Sequence, residues 1–205
     1  MNNKKYLVTI ARQFGSMGRP IAMKLSEILG IEFYDRDIVD KAAEKLNLPV
    51  SIVDENEESA KEVFKNNYSR MQFPLGCQKS TDVQDKIFEA QKNIINFLAE
   101  RESCIIVGRC GDFILSEKEN GIHIYIYAPY ETRLKHCTNE LGLSMDEGKR
   151  MIKKVDEARE AYHLQYAGFK PDDYNHKDLM IDSSLLGVDG TAEYLAVLIK
   201  KKFCL

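Results

Sequence analysis

Apolar positions along the chain form short unbroken runs that alternate with stretches of helical spacing. The run "KKYLVTIA" is nearly continuous, as in a strand buried on both faces. A glycine-rich turn follows. Ile21, Leu25, Ile28 and Leu29 then recur at helical spacing, with Pro20 tolerated in the first turn and Gly30 suited to end the helix. "IEFYD" predicts a second short strand, and "DIVDKAAEKLN" a helix closed by Pro49.

Residues 51–80 are polar, acidic at "DENEES" and weakly patterned, with Pro74 and Gly76 marking a loop. They predict an arm laid over the core, with Ser51 and Asp54 as a capping box for a small helix. Val83, Ile87, Ala90, Ile94, Phe97 and Leu98 then make one stripe of a long helix that faces the core. "SCIIVGR", "IHIYIYA" and "KDLMID" predict further strands. "YETRLKHCTNEL", "SMDEGKRMIKKVDEAREAYHLQY" and "DGTAEYLAVLIKKKF" predict helices, the last with lysines near its negative end. Strands alternating with helices imply an α/β layer fold around a parallel sheet.

Composition narrows the function classes. With 205 residues, 44% hydrophobic and 30% charged, the chain can bury a real core. A formal charge of -3 shows no bias towards nucleic acid or an anionic membrane. No apolar run is long enough to span a bilayer and no secretory leader is visible, so a cytoplasmic protein is expected. Cys77, Cys104, Cys110, Cys137 and Cys204 are odd in number, scattered and outside any C-x-x-C pair. They read as free thiols of a reducing compartment, without a disulfide framework or zinc site.

The chemistry concentrates in "ARQFGSMGRPIA", residues 11–22, where a strand, a glycine-rich turn and a helix succeed one another. That order builds phosphate cradles, although glycines also make tight turns that hold nothing. Position adds weight, because ligands of open parallel sheets bind at the carboxyl ends of the strands. Asp35, Arg109 and Asp182 each follow a predicted strand and so fall at that edge. On the long helix after residue 144, Lys149, Lys153, Asp156 and Arg159 are spaced by four, three and three residues. They are either a solvated face with internal ion pairs or a charged lid closing on phosphates.

The blocks "TIARQFGSMGRPIAMKLSEILGIEFYDRDIV", "IIVGRCGDFIL", "IYIYAPYETRLKHC", "KKVDEAREAYHLQY" and "DLMIDSSLLGVDGTAEYL" resemble, in order, those of the cytidylate kinase-like family, a branch of the P-loop nucleoside monophosphate kinases. The resemblance implies a three-layer P-loop kinase-type fold with five parallel strands. It implies a core of 1–35, 96–149 and 178–205, a monophosphate-binding arm of 36–95 and a lid of 150–177. Gly15, Ser16, Met17, Gly18 and Arg19 would hold ATP phosphates. Asp35 and Arg109 would serve the acceptor, Arg159 would stabilise the transferring phosphoryl, and "DSS" at 182–184 would lie near the ATP base.

This chain also departs from the family pattern. In G-x-x-x-x-G-K-[ST] its first glycine is Gln13, its lysine Arg19 and its magnesium-binding hydroxyl Pro20. An aspartate expected before "GR" is Val107. Mg²⁺ would therefore be held mainly through nucleotide phosphates, and no residue is assigned as a metal ligand. Arg19, Lys153 and Arg159 are the expected catalytic cations, with Asp156 orienting Arg159. The expected partners are small-molecule nucleotides, not nucleic acid or membrane; oligomeric state is not set. Three readings follow: an ATP-dependent kinase of CMP or dCMP, a nucleotide-binding regulatory protein with little turnover, and a kinase of a non-nucleotide metabolite.

Overall fold

In the computed structural model, residues 5–35, 38, 41, 44 and 81–205 are described. The expected helix over "DIVDKAAEKLN", the capping box at Ser51 and Asp54, Cys77 and most of the arm lie outside them, apart from isolated positions.

Five strands form one parallel sheet in the order β2-β3-β1-β4-β5: β1 (Leu7–Arg12), β2 (Glu32–Tyr34), β3 (Cys104–Val107), β4 (Gly121–Tyr127) and β5 (Leu179–Asp182). In the central strand, Val8 pairs with Ile105 of β3 and with Ile122 of β4. Parallel neighbours require crossovers, and helices supply them: α1 (Gly18–Leu29), α2 (Thr81–Arg101), α3 (Gly111–Ile114), α4 (Tyr130–Asn139), α5 (Met145–Ala167) and α6 (Gly187–Phe203).

Strand alternation sends successive side chains to opposite faces. Val8, Ile10, Ile105, Val107, Ile124 and Ile126 face α1 and α6, whose Ile21, Leu25, Leu195 and Ile199 complete one buried layer. Leu7, Cys104 and Ile106 face the other way and pack with Ile38 and with Ile95, Leu98 and Ala99 of α2. Each such fully buried side chain contributes about 1.5–3 kcal/mol of transfer free energy. A third cluster, Phe14, Leu134, Cys137, Ile152 and Val155, seats α5 against α4 beside the glycine loop.

Helix ends follow the local chemistry. Gly30 caps α1 in the left-handed region and Gly168 does so for α5. At the start of α5, Ser144 accepts from the Glu147 amide and Glu147 reaches back to the Ser144 amide, which satisfies first-turn donors reciprocally. The stripe expected on α2 needs one correction. Ile87, Ala90 and Leu98 are buried, but Phe97 is 55% exposed, with Arg101 over its ring. The buried side runs through Ile87, Gln91, Ile95 and Leu98, because the helix packs along a line one residue removed from the one its apolar side chains suggested. The four described cysteines are free: Cys104, Cys110 and Cys137 are buried and Cys204 is exposed. Burial pushes the Cys104 thiol up to about 12.

Candidate functional site

The glycine loop joins β1 to α1 and is held from outside by its carbonyls. Arg133 of α4 donates to the Phe14 carbonyl at 3.2 Å, His136 Nδ1 lies 2.8 Å from the Gly15 carbonyl, and Ser183 Oγ donates to the Ser16 carbonyl at 2.7 Å. The Phe14 amide donates to Asp156 Oδ1 at 2.8 Å. Ser16 is fully buried and its hydroxyl donates to the carbonyls of Gln13 and Ile126. Three successive carbonyls are thus fastened to α4 and to the end of β5.

At its inner side the loop ends on Met17, a left-handed residue with φ 59° that caps α1 without any side-chain bond to the first-turn amides. Those amides lack intrahelical partners, and the helix dipole places positive potential there. A side chain at Gly18 would sit 2.7 Å from Arg12 Cβ, so the close approach of α1 to β1 depends on glycine. An uncapped helix start behind a tethered turn fits the phosphates of a nucleotide.

Beside the loop, Gly108, Arg109 and Cys110 after β3 all have positive φ, 74°, 53° and 51°. Left-handed non-glycine residues cost about 1–3 kcal/mol each and occur where the surroundings impose them. The turn aims Arg109 back along the sheet edge. Its Nη1 donates to Asp35 Oδ1 at 2.7 Å and to the Val107 carbonyl at 3.1 Å. A Cβ at Gly108 would collide with the Arg12 guanidinium.

Asp35, at the end of β2, is the hub. Arg19 Nε lies 2.8 Å from its Oδ2, and Arg12 Nη2 lies 3.8 Å from its Oδ1. Burial opposes its charge, but Arg12, Arg109, Arg19 and Arg159 together hold its carboxyl below the usual carboxylate range. Arg159 of α5 donates to the Arg12 carbonyl at 2.8 Å. Between β1, β3 and α5 lies an open cleft with a cavity of about 50 Å³, and Arg12, Arg109 and Arg159 all line it.

The structure therefore brings together Arg19, Asp35, Arg109 and Arg159, with Gly15–Arg19 alongside. It does not bring Lys153 to them. That side chain is 78% exposed and pairs with Glu157 at 3.9 Å, and Lys149 pairs with Asp146. Six residues at 3.6 per turn separate Lys153 and Arg159 by about 120° around the helix, so only Arg159 is on the inward side. Asp156 also differs from expectation: its carboxylate binds Arg133 and the Phe14 amide, and so anchors the loop. Asp182 accepts from the amide and hydroxyl of Ser184.

Sequence reasoning missed Arg12, Arg133 and His136. Arg12 satisfied the criterion that selected Arg109, a charge at the end of a strand. Arg133 and His136 share a face of α4 at i,i+3, but nothing local marks them as loop tethers.

Among the described residues, no three His, Cys, Asp or Glu side chains cluster as metal ligands. Pro20 and Val107 carry none.

A parallel sheet of order 2-3-1-4-5, with a tethered glycine turn after its central strand and a cationic cleft beside it, is a fold of the P-loop kinase type. The family model of the cytidylate kinase-like family matches residues 7–185, and the chain belongs to that family. A cytidylate kinase of Thermoplasma acidophilum is 24% identical over 191 residues, 92% of this chain and 89% of that one. An uncharacterized protein from Eubacterium ventriosum is similar in structure, with a TM-score of 0.72 and 26% identity over 96% of this chain and 99% of that one. A shikimate kinase from Acinetobacter baumannii shares the fold at a TM-score of 0.54 and 13% identity, covering 97% of this chain and 95% of its own. No helix among the described residues is long and apolar enough to cross a membrane.

Proposed function

We propose that this protein transfers the γ-phosphoryl group of ATP to a nucleoside monophosphate, CMP or dCMP, in the cytoplasm. The observation that carries the reading is the convergence of Arg12, Arg109 and Arg159 on one cleft beside the uncapped start of α1. Phosphoryl transfer asks a protein for positioning and charge neutralisation more than for covalent chemistry.

In this reading the amides of Gly15, Met17, Gly18 and Arg19 hold the ATP phosphates, the buried Ser16, whose amide donates to the Gln13 carbonyl at 3.4 Å, shapes the turn from within, and Arg19 supplies the charge of the missing lysine. Arg109, aimed by Asp35, grips the acceptor phosphate. Arg159 adds positive charge where the phosphoryl group passes, a contribution that arginines in such reactions make at about 10³–10⁵ in rate. Asp156 keeps the loop in register through Phe14 and Arg133. Lys153 takes part only if α5 turns or closes, since its present position is in solvent. Mg²⁺ bound through nucleotide phosphates and water would neutralise charge on the β- and γ-phosphate oxygens. The core, arm and lid divide at 1–35, 96–149 and 178–205 for the core, 36–95 for the arm and 150–177 for the lid.

ADP release over a panel of CMP, dCMP, other nucleoside monophosphates and hydroxyl acceptors, beside thermal shift with ATP, tests the reading. Turnover restricted to CMP and dCMP supports it. Turnover with a hydroxyl acceptor alone replaces the acceptor. ATP stabilisation without turnover favours a regulatory protein, a reading motivated by Pro20 and Val107.

A further inference from the structure

A second charged cluster lies deeper in the cleft and has no part in the scheme above. Asp112 of α3 is 5% exposed at its side chain. His163 Nε2 of α5 is 3.0 Å from its Oδ1 and 3.1 Å from its Oδ2. Lys177 Nζ, fully buried, donates to the same carboxylate. His163 Nδ1 faces the Phe169 carbonyl at 2.8 Å. Both ring nitrogens of His163 thus face oxygen atoms, one of the backbone and one of the Asp112 carboxylate. His163 and Lys177 overcome burial to hold the Asp112 carboxyl well below the usual range. The Phe169 ring closes the cluster: His163 meets it edge-on at 4.8 Å, His176 stacks on it at 3.7 Å and Lys177 lies over it.

The positions matter more than the charges. Asp112 follows Arg109 by three residues, and His163 follows Arg159 by four, on the same face of α5. All four line the cleft. The cluster therefore joins the turn that presents one arginine to the helix that presents the other. Lys177 pins the segment that leads from α5 into β5.

We infer that Asp112, His163 and Lys177 form a latch that sets the separation of Arg109 and Arg159 across the cleft, which makes them positioning residues for phosphoryl transfer. The inference rests on the kinase reading for its catalytic consequence, not for the latch itself. Without the carboxylate, the turn of α5 that carries Arg159 and His163 loses its tie to the turn that carries Arg109, while Ile152, Val155 and Asp156 still seat the earlier turns of α5, and Arg159 is no longer held at the reacting phosphoryl. Ground-state binding of ATP, at the loop, is spared.

The test is Asp112→Asn in the full chain, alone and combined with Arg159→Ala. Expected is a fall in kcat of tenfold or more with ATP affinity within twofold. That fall should vanish in the Arg159→Ala background, because a latch acting through Arg159 has nothing left to position. Amide hydrogen exchange over residues 155–163 should rise at least tenfold while β1 stays protected. Unchanged kcat, or an equal fall in both backgrounds, overturns the positioning role. Unchanged exchange overturns the latch. If Asp112→Asn does not fold, His163→Gln, which removes the imidazole tie from α5 to Asp112 and leaves the Lys177–Asp112 pair in place, is judged by the same criteria. Failure of both to fold makes the cluster a folding element only and overturns the proposal. A parent chain that turns over no acceptor removes the kinase reading, and hydrogen exchange then still decides the latch.

Discussion

Replacing Asp35 by asparagine removes the one carboxylate that three arginines share. Arg109 and Arg12 are 9% and 13% exposed at their side chains, while Arg19 is 43% exposed and can reach water. Removing one partner of a buried ion pair costs about 3–5 kcal/mol, because the other charge stays behind. Asparagine keeps one acceptor for Arg109 Nη1, and Arg19 resolvates, so about 2–4 kcal/mol is expected at pH 7. For a chain of this size that lowers Tm by about 5–15 °C. The pH dependence follows from the direction of the Asp35 shift. Its folded-state pKa lies below the unfolded value of about 3.9. Its contribution is therefore complete above that value and is lost as the pH falls through the folded-state pKa. Urea unfolding of parent and variant, from pH 7 to the lowest pH at which the parent still unfolds cooperatively, measures the gap. It should be widest near neutrality and narrow only below about pH 4. A variant as stable as the parent at pH 7, or a gap that stays constant through the acid limb, would refute the argument that Asp35 is held as an anion by these arginines.

The remaining expectations concern the proposed chemistry. Arg159→Ala should lower kcat by orders of magnitude and leave ATP affinity nearly unchanged, since a cation acting on the moving phosphoryl group contributes in the transition state; steady-state kinetics beside ATP titration checks it, and activity within twofold of the parent would leave Arg159 a structural residue. Arg19→Ala should weaken ATP binding and Arg109→Ala acceptor binding, each measured by isothermal titration with both ligands; an equal loss of both ligands in either variant would contradict the division of labour. Magnesium titrated into the nucleotide-free protein should show no tight site, because Pro20 and Val107 offer no side-chain ligand; a high-affinity site would place a carboxylate in the metal shell after all.

The chain order of the elements was legible in the pattern of apolar positions. Runs such as "YLVTIA" and "IHIYIYA" can be buried on both faces only inside a parallel sheet, and helical stretches between them leave crossovers as the way to connect it. Gly30 ended α1 as read, and the turn at Gly15 to Gly18 lies where a strand, a break and a helix succeed one another. These are local properties, set by backbone sterics and side-chain period within a few residues. Ion-pair partners are not local. Arg109 and Asp35 are 74 residues apart, and His163 and Asp112 are 51 apart. Only the strand order puts the ends of β1, β2 and β3 side by side, so that Asp35 meets Arg12, Arg19 and Arg109. The same holds for the charged residues of α5. Their spacing was readable, but the rotation of that helix about its axis is set by Ile152 and Val155 packing on Leu134 and Phe14. That packing turned Arg159 inward, carried Asp156 to Arg133 and left Lys153 in water, because burying apolar area outweighs the few tenths of a kcal/mol that a surface ion pair on one helix face can offer, roughly by a factor of several.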